Sequence, residues 1–379
     1  MRSLYSMYLV TLVLIIAVSA NAFAADRTYN AHAADRAYIR IVSGSGRLIP
    51  QSSQIFVGEV KGVAWDKEGP DRTGKATFLV RDGIRGINQG DETLLGVREI
   101  NPYVRRLGEE YFIRGLRFAD GTIWLVFVDQ DNAIRYIMQL ETEDAPIIKE
   151  VAKAAEIDSQ EPEDKLESLQ SVLGEKPLKR SVLVNYGIEA TGRLVRTHPE
   201  ACSILLSVAG ESDNPARIRV AAMDAIQRYL ASGYIRGGDE RPTWKEELKM
   251  ILEAAPVMKD EPLELLYRYS SLLWSAVRRG SRESALVIPE GVKVESPEKV
   301  KAAINSVAAK LDESIPPLME ELAAAQSPDT TFPTEQQRNH QIGRLQRSIE
   351  HTRNRVEILK KLAESPALQP APVPEDDEK

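Results

Sequence analysis

The stretch Asn214–Leu230, NPARIRVAAMDAIQRYL, decides the fold that the sequence predicts for most of the chain. Its apolar residues recur at helical spacing and share one face, namely Ile218, Ala221, Ala222, Ala225, Ile226, Tyr229 and Leu230. Pro215 stands in the first turn, where its missing N–H costs nothing, and Asp213 or Asn214 can cap the free N–H groups. A helix this apolar on one side needs stacked neighbours, so we expect a helical array.

Prolines divide residues 162–326 into segments of the same kind. The first helices of candidate pairs begin near Pro162, Pro199 and Pro242, and the second helices begin near Pro177, Pro215 and Pro262. Further amphipathic helices are predicted over Pro297–Leu311 and Pro316–Gln326. The segment Glu283–Glu295 before them contains a β-like run at Ala285–Ile288 and is expected to be a loop that crosses the edge of the array. The starts recur at roughly 40 residues, the period of HEAT or armadillo repeats.

The helix after Asn214 resembles the second helix of a HEAT repeat, whose usual form is D-x-x-P-x-V-R-x-A-A-x-x-A-L. The matching residues, with one extra residue after Pro215, are Asp213, Pro215, Ile218, Arg219, Ala221, Ala222, Ala225 and Ile226. The resemblance implies a HEAT-like α-solenoid over 162–326, in which Asp213 and Arg219 bond between turns or repeats as structural supports. The flanking repeats match the pattern less well, so the array is expected to be short or irregular.

Residues 38–140 have a different pattern, with short β runs separated by turn residues. The predicted strands are Gln54–Val60, Ala76–Arg81, Thr93–Ile100, Glu110–Phe118, Thr122–Val128 and Ala133–Gln139. Asp120-Gly121 between two apolar runs is the strongest hairpin signal. Five or six short strands in about 100 residues predict a small barrel, which removes its sheet edges by closing.

Three elements of this region, Ile55–Val60, Ile84-Arg85-Gly86 and Gly108–Ile113, resemble a bacterial OB-fold domain of the netrin/metalloproteinase-inhibitor-like type. That family has a "VVGxV" strand, an "L-K-G" element and a "G-E-x-Y-L-x-F" strand. Its inhibitors grip a catalytic zinc with an N-terminal cysteine, which this chain lacks there. The resemblance therefore implies an OB-like β-barrel without that inhibitory mechanism.

The N-terminus predicts export. Arg2 precedes an apolar run over Leu9–Val18, and Ala22-Phe23-Ala24 is typical of a signal-peptidase site, with Val18-Ser19-Ala20 as a competing site. An uncleaved anchor is the alternative, but the run is shorter than the roughly 20 residues that span a bilayer. We expect a signal peptide over 1–24, a disordered leader over 25–37, no later transmembrane span, and a periplasmic or extracellular location.

The remaining segments are connectors and ends. Residues 141–161 form a linker that contains a helix at Ala145–Ile157, and Ser43–Gly46 is expected to be a flexible turn that opens no helix. A long polar helix is predicted over 334–364, with an apolar stripe of Ile342, Leu345, Ile349, Val356, Leu359 and Leu362. Residues 366–379 mix proline with acidic residues and are expected to be disordered.

Candidate chemistry is sparse. The only cysteine, Cys202, lies four residues after His198, which allows either an activated thiolate or a cysteine packed in a helix core; the second is favoured, since no third partner is evident. His340 and His351 share a helix face without carboxylates that would complete a metal site. The sequence contains no H-E-x-x-H, G-x-S-x-G, Walker or G-x-G-x-x-G motif, so we predict no catalytic, cofactor or metal site.

One patch of the β region has the composition of a binding surface. It combines four arginines with two aromatic residues, namely Arg105, Arg106, Arg114, Arg117, Tyr103 and Trp124. Acidic residues lie among these arginines, the net charge is −7 and the pI is about 5.5, so nucleic acid is not an expected partner. An ordinary solvated surface is the simpler interpretation of the patch.

Together these patterns predict a multidomain α and β protein, with a small OB-like β-barrel, a HEAT-like α-solenoid and a long C-terminal helix. The leading hypothesis is an exported, non-enzymatic binding or scaffold protein that contacts another protein. The alternatives are an enzyme, an enzyme-inhibitor-like module, or polyanion or glycan binding through the barrel.

Overall fold

The computed structural model describes residues 41–66, 71–100, 118–195, 197–231, 244–280, 287–289, 291–327, 330, 332 and 334–369. These residues form two compact units. We call the first, which comprises residues up to Glu161 together with Arg180–Tyr186, the sheet unit. The second, Pro162–Lys179 together with the chain from Gly187 onward, is the helical unit. The chain is therefore a mixed α and β protein.

The sheet unit contains five antiparallel strands in its described part. They are β1 (Gln54–Trp65), β2 (Asp71–Arg85), β3 (Glu92–Ile100), β4 (Ile123–Val128) and β5 (Ile134–Leu140). The strand order is β3-β2-β1-β4-β5, so three consecutive strands form a meander and the fourth returns to pair with the first. This is the Greek-key arrangement.

Five of the six predicted strands are confirmed, and β1 and β2 are longer than predicted because both continue past the bulge where β1 shifts register between Val60 and Gly62. The sixth, Glu110–Phe118, lies outside the described residues except for Phe118, which is not in a strand. Within the described residues the edge strands β3 and β5 are not paired, so the sheet is open and the predicted closed barrel is not confirmed.

The two faces of the sheet are both covered, which explains why every residue of β4 after Ile123 is buried. One face carries an aromatic core in which Phe56, Phe78, Phe118 and Trp124 contact one another in sequence. Helix α2 (Pro146–Asp158), the predicted connecting helix, lies against β2. Its buried side chains follow the helical period that the sequence shows.

Residues 41–51 are helical and form α1, so the prediction of a flexible turn at Ser43–Gly46 is wrong. The glycines lower helix propensity, but the apolar side chains of Ile41 and Ile49 are fully buried and stabilise the helix through packing. Ser45 is buried as well, and its Oγ lies 3.1 Å from the carbonyl oxygens of Val42 and Val182. Small residues here allow close approach of the neighbouring backbone.

From residue 162 onward, the described residues are mostly helical. The helices are α3 (Pro162–Gly174), α4 (Val182–Leu194), α5 (Pro199–Gly210), α6 (Ala216–Ala231), α7 (Trp244–Glu253), α8 (Ala255–Met258), α9 (Leu263–Gly280), α10 (Pro297–Glu313), α11 (Ile315–Gln326) and α12 (Glu335–Ala363). Helices α3, α5 and α10 begin at the predicted prolines, and α6 and α9 begin directly after Pro215 and Pro262. One expectation fails here: the helix expected near Pro177 begins at Val182. Val287 and Ile288, the described end of the β-like run, lie outside helices and strands, as expected for a loop.

Contacts in the helical unit follow two rows of helices. The first helices of successive pairs contact one another, α3 with α5, α5 with α7, and α8 with α10. The second helices do the same, α6 with α9 and α9 with α12, and a Cβ on Gly192 of α4 would lie 2.9 Å from the Tyr229 ring of α6. The face of α6 that the sequence predicts to be apolar is buried between these rows, with Ala222, Ala225 and Ile226 fully buried.

Helix α12 confirms the predicted long C-terminal helix. Thr334 caps it by accepting a hydrogen bond from the backbone N–H of Gln337 (3.2 Å). The predicted apolar stripe is buried against α10 and α11 from Leu345 onward, while Ile342 is half-buried. Most of the stabilisation of this polar helix therefore comes from one narrow face.

Candidate binding surfaces

One member of the predicted arginine patch lies within the described residues. Tyr103, Arg105, Arg106, Arg114 and Arg117 lie outside the described residues. Trp124 is described, and it is fully buried: its ring stacks on Phe118 at 4.8 Å between centroids, and its Nε1 donates to Thr122 Oγ1 (2.8 Å). The prediction that Trp124 offers a surface for ligand stacking is wrong, because this side chain belongs to the core.

An open polar cleft lies at the end of β2. It has a volume of about 560 Å³ and is lined by Gln54, residues 83–88 and residues 91–93. The Oε1 atom of Gln54 is buried and accepts no hydrogen bond from the described part of the chain. A buried acceptor without a donor is costly unless water or a ligand supplies one.

The Ile84-Arg85-Gly86 element, which carried part of the OB-fold resemblance, forms one wall of this cleft and has a structural role. Arg85 donates to the carbonyl oxygens of Ile49 and Ala155 (both 2.8 Å) and forms an ion pair with Asp158 (3.1 Å). These groups lie at the C-terminal ends of α1 and α2, where a positive charge is favourable. The guanidinium is therefore engaged by the protein itself.

Cys202 is a core residue. It is fully buried in α5, and burial, together with the nearby Glu247 carboxylate, raises the pKa of its thiol far above its usual range. His198 precedes α5, and its Nδ1 lies 2.7 Å from Thr197 Oγ1. The interpretation of Cys202 as a packed cysteine is confirmed, and the thiol has none of the thiolate character that nucleophilic catalysis requires.

His340 and His351 lie on the exposed side of α12, as the spacing predicts. Across the described residues, no group of three or more histidine, cysteine or carboxylate side chains is arranged to hold a metal ion. The two imidazoles therefore form part of the exposed surface of α12.

Arg219 of α6 contacts two other parts of the helical unit. Its Nε donates to the carbonyl oxygen of Ala209 at the end of α5 (2.7 Å), and its Nη2 forms an ion pair with Glu261 Oε1 before α9 (2.5 Å). Asp213 is exposed, and the neighbouring Asn214 takes the second bridging role: it accepts from the Leu178 N–H (2.9 Å) and donates to the Val208 carbonyl (3.1 Å).

A charged surface crosses the row of second helices, and sequence reasoning missed it. We call it the second-helix face and define it by Glu189 of α4, Asp224 and Arg228 of α6, and Arg268 of α9. Arg228 Nη1 contacts both carboxylate oxygens of Glu189 (2.7 and 2.5 Å), and Arg268 Nη1 lies 3.2 Å from Asp224 Oδ1. Both arginines stay close to half exposed, so the face is open to solvent.

Within this face, the effect of burial on the Asp224 carboxylate is larger than the opposing effect of the neighbouring arginines. Partial burial raises the pKa of Asp224, and the nearby Arg268 and Arg228 do not fully offset that effect. The sequence signal was the pair Asp224 and Arg228, four residues apart on the polar side of the predicted helix. The residues that pair with Arg228 and Asp224 lie on α4 and α9, and they can be identified only from the way these helices pack against α6.

The chain matches no protein-family model, and neither the curated proteins nor the solved structures contain a significant match to it. Among the described helices, none combines the length and the hydrophobicity needed to cross a bilayer.

Proposed function

We propose that this chain is an exported, non-enzymatic binding or scaffold protein that acts through contacts with another protein. The observation that carries the proposal is the second-helix face, where charged side chains of α4, α6 and α9 are paired across one open surface. Stacked helix pairs commonly use such extended surfaces for binding. A charge that is destabilised by its site, as Asp224 is, is more common on functional than on purely structural surfaces.

Two finer fold assignments belong to this proposal. The two rows of helices with proline-marked starts support a short HEAT-like solenoid. Five antiparallel strands in Greek-key order support an OB-like sheet, since the OB fold is a partly open five-stranded Greek-key barrel. Edge strands β3 and β5 bring some Cα atoms within 8 Å of each other, which is compatible with near closure.

Site-specific photo-crosslinking tests the proposed interface. A photoreactive amino acid at Gln227 of α6 would report on the second-helix face, and one at the exposed Ser203 of α5 serves as the matched control on the first row. We expect Gln227 to crosslink a discrete protein that Ser203 does not capture, and the double variant R228E/R268E to remove that product. Identical products from both positions would contradict an interface on this face.

Export has its own test. N-terminal sequencing of the protein recovered from the producing cell should begin at Asn21 or Ala25, according to which predicted cleavage site is used. A protein that keeps Met1 and remains with the cytoplasmic fraction would contradict export without affecting the argument about the binding face.

A second candidate function is glycan binding by the sheet unit, which the polar cleft favours. Polar residues such as Gln54 and Asn88 line the cleft, and oligosaccharides bind the loop regions of several OB folds. A glycan array probed with the full chain and with Q54L would test this. Binding that Q54L abolishes supports the candidate, and equal binding by both proteins contradicts it.

A further inference from the structure

Helix α12 carries seven basic side chains, an excess for a protein with a net charge of −7. Five of them have partners within the helical unit. Arg338 donates to the carbonyl oxygens of Ala325 and Gln326, Arg353 lies 3.4 Å from Met319 Sδ, Arg355 donates to the Tyr267 carbonyl, Lys360 pairs with Asp312, and Lys361 pairs with Glu357. Five of the seven basic side chains of α12 therefore contribute to packing and pairing within the helical unit.

The other two, Arg344 and Arg347, are exposed and have no ion pair or hydrogen bond with any described residue. His340 and His351 share this property. At 3.6 residues per turn the four side chains fall within an arc of about 60° and span about 17 Å along the helix. We call this set the basic stripe.

The stripe has the geometry of a binding site for a linear ligand. Its members follow one another at axial steps of about 4.5–6 Å, close to the 6–7 Å between side chains on the same side of an extended polypeptide. A flat anionic surface fits less well, because the exposed carboxylate of Glu350 lies on the most outward part of the helix, beside the stripe.

We propose that an acidic, extended segment of the partner protein lies along the basic stripe. This inference depends on the proposed function, since it assumes a protein partner. The guanidinium groups of Arg344 and Arg347 would bind carboxylates through two parallel hydrogen bonds each, and the imidazoles would flank them as donors. Because both arginines lack internal partners in the described part of the chain, binding would not have to break an existing ion pair.

The test measures the binding of a defined acidic peptide to the full chain. The probe is a fluorescein-labelled Glu-Ser-Glu-Ser-Glu-Ser-Glu-Ser peptide, followed by fluorescence anisotropy in about 50 mM salt, and its Gln-for-Glu analogue is the negative control. We expect R344Q/R347Q to weaken binding by about tenfold or more. R353Q/K361Q, which removes the same charge from the same helix outside the stripe, should weaken it by less than about twofold.

Three results would overturn the inference. The first is an equal loss of peptide affinity in both double variants, which would show that the net charge of the helix, and not the stripe, determines binding. The second is stripe-dependent binding of heparin or of anionic phosphatidylserine vesicles without binding of the peptide. The third is tighter peptide binding after deletion of residues 370–379, with the gain lost in R344Q/R347Q, because this would assign the stripe to the chain's own acidic end.

The same variants separate this inference from the proposed function. If R344Q/R347Q abolishes peptide binding but the crosslinked partner from Gln227 is retained at full yield, the partner does not use the stripe. The stripe inference then fails and the proposed function stands. If no site-specific crosslinked product forms while peptide binding follows the stripe, the proposed function fails instead.

Discussion

Arg219 is the residue whose removal should affect the helical unit most. It is only about 6% exposed, and its partner Glu261 is also largely buried. In Arg219→Met the apolar stem is kept, but the Glu261 carboxylate loses the positive charge of its ion pair and the Ala209 carbonyl loses its donor. Breaking a buried ion pair from one side costs about 3–5 kcal/mol. We expect a loss near the lower end of that range in the free energy of unfolding, measured by guanidinium denaturation.

Two further variants complete this experiment. Arg217→Ala removes an exposed arginine from the same helical turn and should change stability by less than about 0.5 kcal/mol. The double variant R219M/E261L removes both charges and should recover part of the loss, because no buried carboxylate is then left unpaired. A double variant as unstable as Arg219→Met would show that packing, and not charge burial, determines the effect.

Cys202 provides a test of chemistry at the residue scale. Because burial raises the pKa of its thiol and hides it from solvent, the native chain should react with DTNB only as fast as α5 opens. A variant that carries Ser203→Cys adds an exposed thiol one position later, and this thiol should react at least about a hundredfold faster. Rapid labelling of Cys202 in the folded wild-type protein would revive the enzyme alternative.

Asp224 yields a prediction about pH. Its pKa is raised in the folded protein, chiefly by burial, so the folded state binds the proton more tightly than the unfolded state does. That contribution to stability is fully present below the unfolded pKa, near 3.9, and is lost as the pH rises through the folded pKa. Asp224→Asn stays neutral throughout, so its melting temperature relative to wild type should rise as the pH is raised from below the unfolded pKa to neutrality.

The control for this measurement is Asp213→Asn, which removes one exposed carboxylate from the turn before α6. A melting-temperature difference that instead falls as the pH rises would show that the ion pair with Arg268 outweighs desolvation, which would contradict the raised pKa of Asp224. A gain in stability would instead mark Asp224 as a carboxylate that is kept charged at some cost, as expected on a binding surface.

At the scale of elements, the junction between β2 and β3 depends on glycine. Gly86 has φ +67°, and a Cβ there would lie 2.2 Å from the Ser53 carbonyl oxygen. Gly86→Ala should therefore lower stability by about 2–3 kcal/mol, through left-handed strain and the clash together. Gly90→Ala is the matched control, since its φ is +90° with open space around it, and it should lose only about 1 kcal/mol. Equal losses would mean that the junction shifts to accept the side chain.

The same scale shows which elements the sequence could predict. Helices that begin at Pro162, Pro199 and Pro297 combine two local signals, the proline and the apolar period, and both act within a few residues. Helix α1 was missed because its two glycines argue against a helix, and the packing that stabilises it comes from residues as distant as Val182. Trp124 was misassigned because burial is a property of the folded sheet, and an aromatic residue in a strand fits either a core or a surface.

For the whole molecule, the division into a β region and a helical region was predictable from the change of hydrophobic period near residue 140. The Greek-key order of the strands could not be predicted, because it depends on the pairing of β4 with β1, and no local sequence pattern indicates that pairing. The second-helix face was out of reach for the same reason, since Arg228 meets Glu189 across 39 residues of chain. Local signals predict elements, and surfaces that combine several elements depend on packing.

The last prediction concerns how the whole chain unfolds. Each unit has its own buried core, so unfolding in guanidinium should show two transitions rather than one. Far-UV circular dichroism reports mainly on the helical unit. In a W244F/W274F background the remaining tryptophans, Trp65 and Trp124, both lie in strands of the sheet unit, so tryptophan fluorescence reports on that unit. Gly86→Ala should lower only the midpoint seen by fluorescence, and Arg219→Met only the midpoint seen by circular dichroism. If either variant shifts both midpoints equally, the two cores unfold as one cooperative block.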